Sequence, residues 1–141
     1  ESSPTISTLW NLTRALNVDF AGLMDQREAG HRIEVLKAAE VPTIGNMGQG
    51  CRISILSPAE DAGGHEVYDI AFDAGGLLKS KPHARGATEQ LTVLAGAVKV
   101  TSGIATSKLE AGDTARYAAD VAHEIVALDA GARVFLIVKN G

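Results

Sequence analysis

A mainly β fold, a small barrel or jelly roll preceded by two short α-helices, is what the sequence predicts, on three observations. From His31 onward apolar residues recur with period two, in short runs broken by Gly, Pro, Asp and Ser. The breaks come at intervals of roughly 8–12 residues, the pattern of an all-β sandwich or barrel. Glycine supplies 15 of the 141 residues while aromatics make up only 4%, and scattered glycines suit many tight turns because they reach positive φ without steric cost. The opening stretch, residues 1–25, is periodic in the helical sense instead.

Taken in order, Ser2, Ser3 and Pro4 offer a cap and a first-turn proline. Ile6, Leu9, Trp10, Leu12, Leu16 and Val18 then fall close to i, i+3, i+4 spacing. That spacing predicts an amphipathic helix over about 5–17, stopped near Asn17, and a second over about 20–25 that starts at Asp19 and carries Phe20, Leu23 and Met24. Helices this short cannot bury their own apolar stripes. They must dock on the rest of the chain, on a second copy, or on residues beyond Glu1. Gln26 to Gly30 is polar and charged and closes on a glycine, as a linker does. Residues 31–141 are the β domain. Its nine strand-like runs are HRIEVLKAA, CRISILSP, HEVYDIAF, EQLTVLAG, VKVTSG, ATSKLEAG, TARYAA, HEIVALDAG and RVFLIVK. A hairpin turn is expected at Ser102-Gly103. GNMGQG at 45–50 precedes a strand and not a helix, so it reads as a mobile loop and not a phosphate cradle.

Composition excludes several classes. Lys plus Arg number 13 against 17 Asp plus Glu, a net charge of −4, which argues against nucleic-acid binding through bulk charge. With 45% hydrophobic and 21% charged residues the chain is not disordered. The apolar run Val134 to Val138 is far too short to cross a bilayer. The lone Cys51 rules out an intramolecular disulfide and a Cys-based zinc site, and suits a reducing cytoplasm. Inside the alternating run CRISIL it reads as buried packing, not a reactive thiol. No basic, apolar leader is visible, so a cytoplasmic chain without a membrane partner is expected. Glu1 in place of Met reads as the start of a piece of something longer.

Candidate chemistry lies in two stretches. GGLLKSKPHARGATEQLTVLAG holds His83, Arg85, Glu89 and Gly96, and GDTARYAADVAHEIVA holds Gly112, Asp113, Asp120 and His123. His31 and His65 each open a predicted strand beside a glycine and read as solvated. His83 and Glu89 share strand parity, yet a straight strand would part them by roughly 20 Å. A bend at Arg85-Gly86-Ala87 would let them converge, with His123 arriving from a neighbouring strand. Parity also turns Ile125 and Ala127 inward with His123, and Leu91 and Val93 inward after Glu89; Tyr68, Ile70 and Phe72 share one face. Two histidines and one carboxylate form the ligand set of non-haem iron and some other divalent metals. His83, Glu89 and His123 are therefore candidate ligands for Fe, Mn, Ni or Zn. The alternative is a metal-free polar pocket in which Glu89 pairs with Arg85 or with a histidine. Arg85 weighs towards that alternative, because a guanidinium repels a divalent ion and offers a carboxylate a bidentate partner. It also suits an anionic small molecule. The candidate ligand-binding residues are His83, Arg85, Glu89, His123 and Tyr68, and no residue is given a catalytic role.

The two stretches resemble the sequence motifs of the cupin family, G-x5-H-x-H-x3,4-E-x6-G and G-x5-P-x-G-x2-H-x3-N, and the resemblance runs over roughly residues 45–139. It implies a double-stranded β-helix, that is, a jelly-roll barrel. His83 matches the first motif histidine, Glu89 the carboxylate, Gly96 the closing glycine and His123 the second-motif histidine. Arg85 stands where a second histidine belongs, Asp120 where a glycine belongs and Ala127 where the final asparagine belongs; the spacer from Gly76 to His83 is one residue longer.

Residues 1–25 resemble the second half of a helix-turn-helix domain of the XRE (Cro/cI-like) family. The matching residues are Pro4-Thr5-Ile6-Ser7-Thr8-Leu9, Leu12, Ala15-Leu16-Asn17-Val18 and Leu23. The resemblance implies that the recognition helix lies upstream of Glu1. Residues 1–30 hold two arginines against four carboxylates, a net of −2, as suits a scaffold half and not a base-reading surface. Together the resemblances imply a transcriptional regulator, not an enzyme. Its cupin domain would sense a small, anionic metabolite, and its full-length chain would bind an operator as a homodimer. This piece alone would not bind DNA. The competing readings are a small metal-dependent cupin enzyme, a dioxygenase or isomerase, and a structural cupin whose pocket is packed core.

Overall fold

The computed structural model of the chain describes residues 33–45 and 47–141. The two predicted helices, the linker and His31 lie outside the described residues. Seven strands form one antiparallel system: β1 (Thr43–Ile44), β2 (Gln49–Ile55), β3 (His65–Ser80), β4 (Thr88–Ser102), β5 (Ala105–Glu110), β6 (Thr114–Ala118) and β7 (His123–Lys139). They are ordered β1-β2-β3-β7-β4-β5, with β6 on β4 beside its first half. Two single turns of 3-10 helix, Ala38–Glu40 and Ala59–Asp61, precede β1 and β3.

Three long strands, β3, β7 and β4, carry the architecture, and each changes direction part-way. In β3 the pairing with β7 shifts between Phe72 and Leu77, and the β4–β7 register shifts around Ala95 and Gly96. Gly96 (φ +77°) and Gly131 (φ +80°) stand at these bends. A Cβ on Gly96 would collide with the Gly131 carbonyl, and one on Gly131 would come within 2.8 Å of the Phe72 carbonyl. Glycine is required there by close backbone approach as well as by φ. Beyond the bends the strands continue as a second wall, and side chains of both walls meet in one core. Tyr68, Ile70, Leu91, Val93, Val134 and Leu136 come from the first wall; Leu78, Val98, Val100, Ile125 and Leu109 come from the second.

Nine expected runs thus become seven strands. Two pairs fuse across a glycine, Thr43–Ile44 is added, and HRIEVLKAA is not a strand over its described residues. That last expectation is corrected: Ile33 is 88% exposed and Val35 56%. Alternation makes a strand only where a neighbour supplies a ladder, and among the described residues none pairs with 33–37. The hairpin turn is found at Gly103-Ile104, between the paired Ser102 and Ala105. Where a loop is expected at 45–50, Met47 is buried, its carbonyl accepts a hydrogen bond from the Cys51 thiol, and Gln49 and Gly50 already belong to β2. The alternation read for Tyr68–Phe72, Leu91–Val93 and His123–Ala127 is observed, with every inward residue buried. Among the described residues no helix is long and apolar enough to cross a membrane.

Candidate metal centre

Where the two walls end opposite the glycine bends, the sequence brings three distant side chains together. Glu89 is the second residue of β4 and points inward from the first wall, its backbone opposite Val138 on one side and Tyr117 on the other. His123 opens β7 on the second wall, opposite Ser80 and Ser102. His83 lies in the connection between β3 and β4. The bend expected there is a tight turn, with the Ala87 N–H donating to the Ala84 carbonyl and Gly86 at φ +84°. Two backbone bonds stitch this connection to the one before β7: His83 N–H to the Ala119 carbonyl and Ala119 N–H to the Ala87 carbonyl. The Gly86 N–H also donates to the Asp120 carboxylate at 3.0 Å. Beneath these connections the His83, Glu89 and His123 side chains are only 1–2% exposed.

Both imidazoles converge on one oxygen. Glu89 Oε2 lies 3.2 Å from His83 Nε2 and 3.0 Å from His123 Nε2. The other oxygen, Oε1, accepts a 2.7 Å bond from the Tyr117 hydroxyl. His123 Nδ1 is 2.7 Å from the Val121 carbonyl, so Nδ1 carries a proton and Nε2 faces the carboxylate. Burial alone would raise the Glu89 pKa, but the bonds from His123, His83 and Tyr117 and the His123 charge outweigh it and hold the carboxyl at about 2. Burial pulls the His123 pKa down, whereas the bonds to Glu89 and Val121 and the Glu89 charge raise it above its ordinary value. Burial, and then Glu89, push the Tyr117 hydroxyl well above the usual phenol range, so it stays protonated and donates.

The arrangement suits a cation. The two Nε2 atoms and the carboxylate oxygen lie within 4.8 Å of one another, the only such set of three or more among the described residues. Ligands at right angles around an ion with bonds of about 2.1 Å stand about 3.0 Å apart, which matches the two separations to Glu89 Oε2. A proton on Nδ1 fixed by a carbonyl is also the orientation in which a histidine offers Nε2 to a metal. Donor set and spacing therefore fit a divalent ion of the N/O type.

Not every expected residue joins the cluster. Arg85 is exposed on the turn, and among the described residues its guanidinium has no hydrogen bond or ion pair. The bidentate pairing of Arg85 with Glu89 is corrected accordingly: of the two partners expected for Glu89, the histidines are the ones it bonds. Tyr68 is fully buried, and its hydroxyl donates to Glu66 at 3.0 Å, not to the histidine cluster. Glu66, itself fully buried, accepts a second bond from the Gly63 N–H. Sequence reading missed Glu66 and Tyr117. The signal for Tyr117 was the run TARYAA, which places it directly across from Glu89 once β6 is paired with β4. His65 is exposed and Cys51 is buried, as expected.

This bent antiparallel jelly roll has the cupin fold. The likeness to known proteins extends further along the chain. The HTH-type transcriptional regulator SutR of Escherichia coli K12 is 28% identical over 124 residues, which are 87% of this chain and 64% of SutR. The chain thus spans less than two thirds of that relative's length. A solved HTH_3 family transcriptional regulator from Vibrio cholerae is 28% identical over 100% of this chain and 75% of its own, with a TM-score of 0.66. The Cupin_2 domain of an XRE family transcriptional regulator from Enterobacter cloacae matches 66% of this chain and 99% of its own at 19% identity and a TM-score of 0.60, a likeness that shows the fold alone. No protein-family model matches the chain. The resemblance read from the sequence holds: this chain is similar to helix-turn-helix regulators of the XRE type that carry a C-terminal cupin domain.

Proposed function

We propose that the chain is the effector-sensing part of a DNA-binding transcriptional regulator and is not itself an enzyme. The observation that carries this reading is the reach of the likeness to the Vibrio cholerae regulator, which covers the whole of this chain at 28% identity. In this reading residues 1–25 are the end of the helix-turn-helix head, 26–30 are the linker, and the recognition helix precedes Glu1. The whole protein acts in the cytoplasm as a homodimer on two half-sites. A small effector shifts the balance between dimer geometries that fit or misfit the operator. Lys81 and Arg85, both exposed on the connection that carries His83, supply the positive charge an anionic effector would meet. His83, Glu89 and His123 would hold a divalent ion (Fe, Mn, Ni or Zn), which would supply a Lewis acid there. The Val121 carbonyl, bonded to Nδ1, orients His123.

Gel shifts with the full-length gene product and with this 141-residue chain test the reading. Specific retardation is expected for the former alone. A tight specific complex with the shorter chain would refute the placement of the recognition helix. The second reading, a metal-dependent cupin dioxygenase or isomerase, is favoured by the two-histidine, one-carboxylate set itself. Stoichiometric iron in protein purified without chelators, accompanied by oxygen consumption, would move the assignment to that enzyme.

A further inference from the structure

Tyr117 lies within the second stretch but at none of its motif positions, yet it makes the shortest of the three bonds to Glu89. We infer that Tyr117 is a positioning residue which reserves one oxygen of Glu89 and so fixes which oxygen the carboxylate offers to a cation. The inference rests on the metal-binding reading above. Its basis is a division of labour at Glu89. Oε1 takes the Tyr117 hydroxyl at 2.7 Å, while Oε2 alone faces both imidazoles at 3.0 and 3.2 Å. The division is built into the sheet, because Tyr117 and Glu89 are direct cross-strand partners in the β4–β6 ladder. Side chains opposite one another in a ladder stand close enough to bond without reaching. The Tyr117 hydroxyl donates to Oε1, on the far side of the carboxylate from the oxygen that faces the imidazoles. With Oε1 so engaged, Glu89 serves as a one-oxygen ligand, and the chain provides three donor atoms in place of four. Freed of the phenol, the carboxylate could turn both oxygens to the ion.

Cobalt(II), used as a spectroscopic probe, tests this with the wild-type chain and Tyr117→Phe, which keeps the ring and removes only the hydroxyl. Both are expected to bind one cobalt per chain. The visible d–d bands of Tyr117→Phe should weaken and shift as the coordination number rises. In the cobalt-loaded wild type, the infrared splitting between the antisymmetric and symmetric carboxylate stretches should be wide, as for one-oxygen ligation. Glu89→Ala identifies the contributing bands, so the infrared measurement stands even if Tyr117→Phe fails to fold. Identical d–d spectra in wild type and Tyr117→Phe, or a narrow splitting in the wild type, would overturn the positioning role. A phenolate-to-metal charge-transfer band on loading with iron(III) would overturn it too, by making Tyr117 a ligand. A folded wild type that takes up no cobalt would instead refute the metal reading, and the inference with it.

Discussion

Replacing Glu89 with glutamine probes the cluster most directly, because shape is kept and only charge and donor pattern change. Without metal, the carboxylate accepts three bonds from two imidazoles and a phenol while almost wholly buried. The fall of its pKa from 4.5 to about 2 corresponds to roughly 3 kcal/mol of preference for the folded, ionised state. Breaking a buried pair by removing one charge costs a similar amount, about 3–5 kcal/mol. A glutamine amide can still accept from Tyr117 and donate to an imidazole, so the lower end is expected. Glu89→Gln should therefore lose about 3 kcal/mol in urea denaturation near pH 6, or about 10 °C in Tm. The pH dependence follows from the two shifts. The depressed Glu89 contributes fully above about 4.5, and that contribution is lost as pH falls towards 2. The raised His123 contributes fully below its ordinary 6.5 and loses its contribution as pH rises beyond its folded pKa. Metal-free wild type should be most stable between these limits, and Glu89→Gln should lack that maximum. The variant also places an N–H where a cation would sit, so cobalt uptake should disappear. A stability within about 0.5 kcal/mol of wild type, with an unchanged pH profile, would refute the charge-paired cluster.

Cys51, pushed up to about 11 chiefly by burial and also by the Asp73 charge, should hold only about one thiolate per thousand molecules at pH 8. Labelling by a disulfide reagent should run about a hundredfold slower than in the unfolded chain; rapid stoichiometric labelling of folded protein would contradict its burial. Gly131→Ala forces a side chain to within 2.8 Å of the Phe72 carbonyl at φ +80° and should cost at least about 2 kcal/mol. Gly112→Ala, at φ +93° in open space, should cost only about 1 kcal/mol, and equal losses would show that the bend is not tightly packed. Asp120→Ala removes the acceptor of the Gly86 N–H, worth about 1 kcal/mol. Amide exchange at Gly86 should then quicken, and an unchanged rate would mean that the bond does not hold the turn.

The fold was readable because period-two burial is a local property. Tyr68, Ile70 and Phe72, or Ile125 and Ala127, announce their inward face without any knowledge of the partner strand. Strand ends were not readable in the same way. Gly96 and Gly131 look like breaks in sequence, but in space they are the bends at which β4 and β7 pass from one wall to the other, and only the stacked carbonyls show that the strands continue. The run around Ile33 failed for the converse reason: its alternation has no ladder to join. The ligand candidates were legible from residue type and spacing, and the need for a bend at Gly86 followed from strand rise alone. Tyr117 was not, since its part depends on register, a pairing between chain segments that no local pattern records.

Arg85 and Asp120 are the two departures from the motifs nearest the histidines; Arg85 alone was read as a change to the chemistry of the cluster, and the geometry gives each its own work. The turn closed by Ala87 leaves Arg85 exposed and without a bond to Glu89, whose oxygens take the two imidazoles and the Tyr117 hydroxyl. Asp120 reaches across to the same turn and bonds the Gly86 N–H, adding to the backbone bonds that join the two connections. A residue foreign to a motif can thus leave the ligand set intact and alter its cover. The three ligands lie almost out of reach of solvent, and the polypeptide above them is held by a handful of hydrogen bonds that individually contribute about 1 kcal/mol. In the metal-binding reading, ion affinity would be set by Glu89 and its partners, whereas access from solution would be set by the joined connections. The two properties are separable by substitution because they reside on different residues.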